Sequence, residues 1–227
     1  MKFVLGKKIL VFTAHPDDES YAAAGTLYKN FKQGGENYLF CASLGEKGKS
    51  HLKKEISELK LKRVRKKELL AAGRILHIKK IVFAGVPDGK IQKYARLLYT
   101  KGLKIANKIK PDFILSFGPD GISGHLDHIG IGKIARKIAG KKHIKFVTFA
   151  FPPVITGKAL KWLASRRKSK HYARKIKYLK PTLKILIDPA IKKKALLKHR
   201  SQMEGRRLFT GFPEYAVKEL LKSEYFH

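Results

Sequence analysis

Two short runs of the sequence concentrate side chains that can bind a metal ion or transfer a proton. The first is Ala14-His15-Pro16-Asp17-Asp18-Glu19, and it directly follows an apolar run. The second is Gly124-His125-Leu126-Asp127-His128, which opens a helical pattern. One acid is enough to cap a helix, whereas three adjacent carboxylates repel one another and gain from a cation between them. The first run therefore indicates a cation site rather than a helix cap alone.

The two clusters together supply the ligand set of a catalytic metal site, two imidazoles and a carboxylate. The spacing favours His15 and Asp18 as ligands and leaves Asp17 as a base. Either His125 or His128 completes the set. Three protein ligands leave a position open for water, and bound zinc lowers the pKa of that water to about 7. The residues predict Zn²⁺ as the cofactor, with Fe²⁺ as an alternative that the same ligands accept.

The elements that must position these clusters alternate between strands and helices. Apolar runs predict strands over residues 8–14, 37–43, 81–84, 113–117, 144–149 and 183–187. Helical spacing predicts helices over residues 19–32, 58–76, 94–108, 127–139, 190–202 and 214–222. This order indicates right-handed βαβ units and an α/β fold, a Rossmann-like three-layer sandwich with a mostly parallel sheet. Ligands of such sheets bind beyond the carboxyl ends of the strands, where both clusters lie.

Length and composition predict one globular domain. The chain has 227 residues, of which 44% are hydrophobic, and Cys41 is its single cysteine, so no internal disulfide forms. The apolar runs are far shorter than the roughly 20 residues of a membrane-spanning helix. We expect a cytoplasmic protein, residues 1–227 as a single domain, and a basic insertion or flap over residues 152–182. No glycine-rich nucleotide-binding motif follows a predicted strand.

A strong positive charge is the other feature of the composition. The 51 Lys and Arg residues exceed the 17 Asp and Glu residues by 34, and no acid occurs between residues 128 and 187. The basic cluster at 166–170 and 174–177 is either a solvated surface or a contact for a polyanion or an anionic membrane face. It lacks the aromatic and basic pattern of an RNA-binding sheet, so we expect no specific nucleic-acid partner. A further hypothesis is that this stretch steers an anionic substrate toward the site.

The two clusters, with several supporting motifs, resemble the PIG-L/LmbE-like family of N-acetylglucosaminyl deacetylases, which is related to GlcNAc-PI de-N-acetylase. The resemblance extends from about Ile9 to Met203. The supporting motifs are Ser43-Leu44-Gly45-Glu46, the helix from Arg65 to Leu76, Gly85-Val86-Pro87-Asp88-Gly89, Gly118-Pro119-Asp120-Gly121, Lys194-Ala195-Leu196 and His199-Arg200-Ser201-Gln202.

The resemblance implies a role for each residue of the two clusters. His15, Asp18 and His128 would hold the zinc. Asp17 would be the general base that activates water. His125 would stabilise the oxyanion or protonate the leaving amine, and the carboxylate of Asp127 would orient a histidine of its own cluster. The implied reaction removes the acetyl group from an N-acetylglucosamine-type small molecule.

The resemblance also implies contacts to the substrate. Arg65 and Asp88 match positions that contact the sugar. His199 would be a further wall of the site, or else a helix residue that packs on the sheet. Ser123 stands where some members have a substrate-contacting Tyr. Two alternatives stay open: a zinc amidohydrolase that acts on a non-sugar N-acyl compound, and a basic polyanion-binding protein on the same fold.

Overall fold

The computed structural model describes residues 4–153, 171–173, 176–210 and 212–227. A seven-stranded sheet forms its centre. The strands are β1 (Lys8–Thr13), β2 (Glu36–Cys41), β3 (Ile78–Phe83), β4 (Phe113–Phe117), β5 (Lys145–Ala150), β6 (Leu183–Leu186) and β7 (Ser223–Phe226). They lie in the order β3-β2-β1-β4-β5-β7-β6. The first five strands are parallel, and β7 pairs antiparallel with both β5 and β6.

Helices cover both faces of this sheet. They are α1 (Asp18–Ala22), α2 (Ala24–Lys32), α3 (Glu58–Ile75), α4 (Ala95–Ile109), α5 (Gly121–Gly124), α6 (Leu126–Lys142), α7 (Pro189–Leu196) and α8 (Glu214–Lys222). One group consists of α1, α2, α3 and α7, while α4 and α6 pack together as a second group. The predicted α/β sandwich with a mostly parallel sheet is confirmed.

Burial on both faces explains the composition of the central strands. Strand β1 has the sequence KILVFT, and all of its residues after Lys8 are buried. Strand β4 has the sequence FILSF and is buried throughout. Continuous apolar runs of this kind are typical of parallel strands, because a helix layer covers each side. This buried centre gives a rigid base for the loops that follow β1 and β4.

The predicted helix over residues 19–32 is instead two helices. The break lies at Ala23, whose φ of −147° is not helical. The backbone N–H groups of Gly25 and Thr26, in the first turn of α2, donate to the carboxylate of Glu224 at 3.0 and 2.8 Å. A carboxylate from the distant strand β7 therefore caps a new helix here, which residue spacing within the segment could not show.

Other differences concern short elements. The predicted helix over residues 190–202 ends at Leu196, and a single 3₁₀ turn follows at Arg200–Gln202. The predicted loop over residues 118–124 contains the short helix α5. Strand β7 has no counterpart among the predicted elements. It is four residues long and follows α8 without an intervening turn, so the sequence carries little periodicity to indicate it.

The basic cluster at 166–170, together with residues 174 and 175, lies outside the described residues. The flap over residues 152–182 and its contact with a polyanion therefore stay predictions. Within the described part of the chain, no helix is both long and apolar enough to span a membrane.

Candidate metal centre

The carboxyl ends of the parallel strands bring the two clusters together. His15 follows β1, and His125 and His128 follow β4. Asp88 lies in the loop after β3, and it joins them at the same edge of the sheet. The ring centroids of His15 and His128 are 5.5 Å apart, and those of His15 and His125 are 5.1 Å apart.

Asp18 presents one carboxylate oxygen to the centre of the cluster. Its Oδ2 accepts hydrogen bonds from the backbone N–H groups of Ala14 and His15, both at 2.9 Å. Its Oδ1 lies 3.2 Å from Nε2 of His128. Burial would raise the pKa of this carboxyl, but the charges and hydrogen bonds of His128 and His15 hold it well below its usual range. Asp18 is therefore an anion with a fixed orientation.

His128 has one ring nitrogen satisfied by the backbone. Its Nδ1 lies 3.1 Å from the carbonyl oxygen of Gly121, which can only accept a hydrogen bond. When the ring is neutral, as a metal ligand must be, its proton stays on Nδ1, and Nε2, the atom that faces Asp18, offers the lone pair. Phe117 stacks on the imidazole at a centroid distance of 4.0 Å. Both contacts fix the ring in the orientation that a metal ligand needs.

His15 is held by two carboxylates at once. Its Nε2 lies 2.9 Å from Oδ1 of Asp88 and 3.3 Å from Oδ2 of Asp127. Burial would lower the pKa of His15, but these two carboxylates, with the charge of Asp18, raise it to about 10. A metal ligand must be neutral, so metal binding would remove one proton from this ring. The two carboxylates would keep the other proton on Nε2, which leaves Nδ1 to offer a lone pair. Two carboxylates behind a histidine match the carboxylate–histidine–metal arrangement of many zinc sites.

The donor set fits a divalent metal ion such as Zn²⁺. Ligand atoms of His15, Asp18 and His128 all lie within 4.8 Å of one another, and so do those of His15, His125 and Asp127. The first group is the better site, because the carboxylate of Asp127 is already used by other partners. Two imidazoles and one carboxylate are a common ligand set of catalytic zinc.

Asp17 lies beside this group in a strained backbone conformation. Its φ is 106°, a left-handed value that non-glycine residues rarely adopt. Its backbone N–H donates to Oε2 of Glu19 at 3.1 Å, and its Oδ2 lies 3.3 Å from Nη2 of Arg65. Burial raises the pKa of Asp17 to about 6, with the positive charge of Arg65 opposing the rise. Strain that is held by several contacts is typical of functional sites.

Arg65 anchors the loops around Asp17. Its Nη1 donates to the carbonyl oxygen of Gly45 at 2.7 Å, and its Nη2 donates to that of Pro16 at 2.6 Å. The residue is 4% exposed. We expected a sugar contact at this position, whereas most of the guanidinium is already engaged by the protein.

The pKa of His125 shifts in the direction opposite to that of His15. Burial and the nearby positive charges of His128 and His15 lower the pKa of His125 to about 3. Its Nδ1 accepts a hydrogen bond from the backbone N–H of Asp127 at 3.2 Å. The neutral ring therefore carries its proton on Nε2, which is free to donate to a developing negative charge.

Three side chains with expected roles have partners that the sequence did not indicate. The carboxylate of Asp127 reaches His15 rather than a histidine of its own cluster, and it also accepts from the N–H of Gly89 at 2.8 Å. Asp88 lies against the same His15 ring and also lines the cavity at this centre, so its expected sugar contact stays a prediction. His199, expected as a further wall of the site, is 1% exposed and lies behind it, with Nε2 2.9 Å from Oε1 of Glu19.

Sequence reasoning missed the residues that hydrogen-bond to the loops and side chains around this centre. Glu46 accepts a hydrogen bond from the backbone N–H of Asp88 at 3.0 Å. Ser20 donates its hydroxyl to Glu19 at 2.5 Å, in contact with His199. The sequence shows the family motifs around Glu46 and His199. It does not show their contacts with Asp88 and Ser20, because the partners lie 42 and 179 positions apart in the chain.

A cavity of about 300 Å³ lies in front of these side chains. We call it the narrow lobe. Most of the residues that line it have polar or charged side chains, among them His15, Asp17, Asp18, Lys47, Arg65, Asp88, His125 and His128. Its volume is at the lower end of the range for small-molecule sites, about 300–1,000 Å³.

The sequence profile of the GlcNAc-PI de-N-acetylase (PIG-L) family matches residues 10–139, which include both clusters. The chain belongs to this family. One relative is a probable N-acetyl-alpha-D-glucosaminyl L-malate deacetylase 2 from Bacillus anthracis, 29% identical over 150 residues. That match covers 63% of this chain and 64% of the relative, so the chain spans less than two thirds of its length.

Two further similar proteins carry names of different activities. A 4-oxalmesaconate hydratase from Pseudomonas putida is 30% identical over 113 residues, which cover 48% of this chain and 43% of the relative. Among solved structures, the N,N'-diacetylchitobiose deacetylase from Pyrococcus horikoshii has a TM-score of 0.66 at 23% identity. The match covers 97% of this chain and 83% of that one. This structure shows that the fold is shared.

Proposed function

We propose that this chain is a metal-dependent deacetylase that removes the acetyl group from an N-acetylglucosamine-type compound. The single observation that supports it best is the position of Asp17. Its carboxylate lies beside the ligand group of His15, Asp18 and His128. It is not one of these ligands, and it does not hold a ligand in place as Asp88 and Asp127 do. The Bacillus anthracis relative and the Pyrococcus horikoshii structure carry names of deacetylases of N-acetylated sugars.

In this proposal His15, Asp18 and His128 hold a zinc ion. Bound zinc supplies a Lewis acid that polarises the amide carbonyl and makes water a better nucleophile. Asp88 and Asp127 would keep the proton of a neutral His15 on Nε2, so that Nδ1 would be the nitrogen that holds the metal ion. Ferrous iron would suit the same ligands.

Asp17 acts as the general base. A carboxylate with a pKa of about 6 is mostly ionised at neutral pH, yet it is basic enough to accept a proton from the attacking water. The water oxygen forms a bond to the acetyl carbon, and the carbonyl oxygen gains negative charge. Asp17 then passes its proton to the amide nitrogen as the carbon–nitrogen bond breaks, which yields acetate and an amine.

His125 stabilises the negative charge on the carbonyl oxygen. Its Nδ1 already accepts a hydrogen bond from the backbone N–H of Asp127, so its Nε2–H donates. The lowered pKa of His125 favours this neutral donor over a protonated general acid. The sequence left two roles open for His125, oxyanion stabilisation and protonation of the leaving amine, and we propose the first.

The hydratase relative suggests a second reaction for the same fold. An anionic substrate would need cations to face it. Apart from histidines, the cations in the described wall of the narrow lobe are Lys47 and Arg65, and Arg65 already donates to Gly45 and Pro16. Asp17, Asp18 and Asp88 would repel such a substrate, so the wall favours an uncharged sugar.

Acetate release tests this proposal. Zinc-replete protein, chelated protein and the Asp17→Asn variant are incubated with a panel of N-acetylglucosamine compounds. Asp17→Asn should retain zinc and lose at least ~100-fold in kcat, since a general base contributes about 10²–10⁴-fold. Asp188→Asn is the matched control, because this exposed residue caps α7 and Asn caps helices equally well.

Each outcome assigns a different function. Metal-dependent acetate release that Asp17→Asn loses and Asp188→Asn keeps supports the deacetylase. Release from none of the sugars, with zinc measured in the protein, contradicts it and favours a non-sugar amide or a hydration reaction. Protein that binds no metal would favour the polyanion-binding alternative.

A further inference from the structure

A second and larger cavity opens from the same centre. Its volume is about 650 Å³, and we call it the wide lobe. It shares Asp17, Asp18 and His128 with the narrow lobe, so the two cavities meet at the ligand group. A substrate whose amide lies at this junction can therefore extend into both lobes.

The wall of the wide lobe is largely apolar. Aromatic and aliphatic side chains from β5 and the carboxyl-terminal part of the chain form much of it: Phe149, Phe151, Phe209, Phe212, Leu220 and Tyr225. Several of them also belong to, or pack on, a second hydrophobic cluster that is separate from the main core. An acetyl group has one methyl to bury, so it would cover only a small part of this apolar wall.

Charge in the wide lobe does not favour an anion. Of the described residues in its wall, Lys49 and Lys192 are the cations. The ammonium of Lys192 lies 3.0 Å from the carboxylate of Glu224, and both side chains are 1% exposed. Asp17 and Asp18 add negative charge at the junction. In a protein with a net charge of +34, the described wall of this lobe thus carries four carboxylates, of Asp17, Asp18, Glu204 and Glu224, against two lysines.

Much of the apolar wall of the wide lobe comes from outside the region that the family profile matches. That match ends at residue 139, whereas the six apolar side chains lie between residues 149 and 225. The carboxyl-terminal part of the chain therefore supplies these apolar side chains, and the matched region supplies the residues at the junction. The apolar wall can set substrate preference without changing the metal centre.

We propose that the wide lobe binds an alkyl or aromatic group of the substrate. This inference rests on the proposed function, because it places the scissile amide at the junction of the lobes. The apolar group belongs either to the acyl chain that is removed or to the aglycone of the sugar. In both cases the narrow lobe holds the sugar ring, whose hydroxyl groups pair with its polar wall.

Two substrate series distinguish these sources. The first varies the acyl group of an N-acylglucosamine from acetyl to octanoyl. The second keeps the acetyl group and varies the aglycone from methyl to octyl. Burial of each added methylene should raise kcat/KM by up to about fourfold in the series that enters the lobe. No increase in either series, with acetate released from the short substrates, would overturn the inference and leave the proposed function intact.

A matched pair of variants locates the effect. Phe212→Ala removes a ring from the wide lobe, and Phe31→Ala removes a 40%-exposed ring that stacks on His77 at the opposite edge of the sheet. The ratio of kcat/KM for long over short substrates should fall about tenfold in Phe212→Ala, roughly the worth of two buried methylenes. It should stay the same in Phe31→Ala. Equal ratios in both variants would contradict the assignment.

Binding separates a failure of this inference from a failure of the proposed function. Zinc-replete Asp17→Asn protein is titrated by calorimetry with the methyl and octyl glycosides of N-acetylglucosamine, and with N-octanoylglucosamine. Tighter binding of an octyl or octanoyl compound supports the lobe even if no substrate is turned over. Equal affinity for all three compounds would overturn it, whatever the activity.

Discussion

The imidazole Nε2 of His199 lies 2.9 Å from Oε1 of Glu19, although the two residues are 180 positions apart in the chain. The other carboxylate oxygen of Glu19 accepts the backbone N–H of Asp17 at 3.1 Å. The contact therefore connects the carboxyl-terminal region to the strained backbone of the proposed general base. Glu19 and His199 are positioning residues in this arrangement, since neither lies against the narrow lobe.

The first prediction concerns this pair. Glu19→Gln keeps the size of the side chain but weakens its hold on His199, so we expect a loss of about 1–3 kcal/mol in the free energy of unfolding. Because Asp17 would be less well placed, kcat should fall more than KM rises. Denaturant unfolding and steady-state kinetics measure the two effects. Glu214→Gln is the control, since its side chain is 81% exposed and its pairing contributes little.

The stabilisation from this pair should depend on pH. Burial lowers the pKa of His199, but the carboxylate of Glu19 outweighs this, and the pKa is raised above 6.5. A raised folded-state pKa gives stability that is complete below the unfolded pKa and is lost as the pH rises through the folded value. The stability difference between wild type and Glu19→Gln should therefore shrink toward alkaline pH. A difference that grows with pH would contradict the assignment.

The second prediction separates two roles for Asp88. If Asp88 acts through His15, as its 2.9 Å contact indicates, Asp88→Asn should weaken zinc binding about 10–100-fold, and Asp127→Asn should do the same. Zinc affinity is measured by competition with a chromogenic chelator. A sugar contact would instead raise KM and leave zinc affinity unchanged. Asp188→Asn again provides the control for an Asp-to-Asn change.

The sequence predicted the parts of the site whose geometry is local. His15, Asp17 and Asp18 lie within five residues after β1, and the strand order of a parallel sheet brings His128 to the same edge. Hydrophobic periodicity predicted the ends of β1, β4 and α3 to within one residue, because each element is long or continuously buried. These features depend on neighbours in the chain.

The features that were missed depend on partners far away in the chain. The break at Ala23 follows from a carboxylate of β7 that caps α2, and nothing within residues 19–32 encodes it. The contact of Asp88 with His15 depends on how the loop after β3 folds over the strand ends. Residue spacing predicts that such residues lie at one edge of the sheet. It does not predict which carboxylates, here those of Asp88 and Asp127, contact the His15 ring.

The third prediction tests the anchoring role of Arg65. Arg65→Lys retains the charge but loses the planar group that donates to Gly45 and Pro16 simultaneously. We expect at least ~10-fold lower kcat and a loss of about 1–3 kcal/mol in stability, because buried acceptors are left unpaired. Arg63→Lys, an exposed position two residues earlier on α3, should have no measurable effect. A rise in KM alone would indicate a sugar contact instead.

The fourth prediction concerns the buried pair of Lys192 and Glu224. Lys192→Met would leave Glu224 as an uncompensated charge that is 3% exposed, at a cost of about 3–5 kcal/mol in the free energy of unfolding. Lys218→Met, at a 68%-exposed position, breaks a surface pair and should cost less than about 0.5 kcal/mol. The double variant Lys192→Met with Glu224→Gln should recover part of the loss, since the amide oxygen can still accept one N–H at the start of α2. If both single lysine variants unfold at the same denaturant concentration, the pair does not stabilise the fold, and the cap that Glu224 gives to α2 must persist without Lys192.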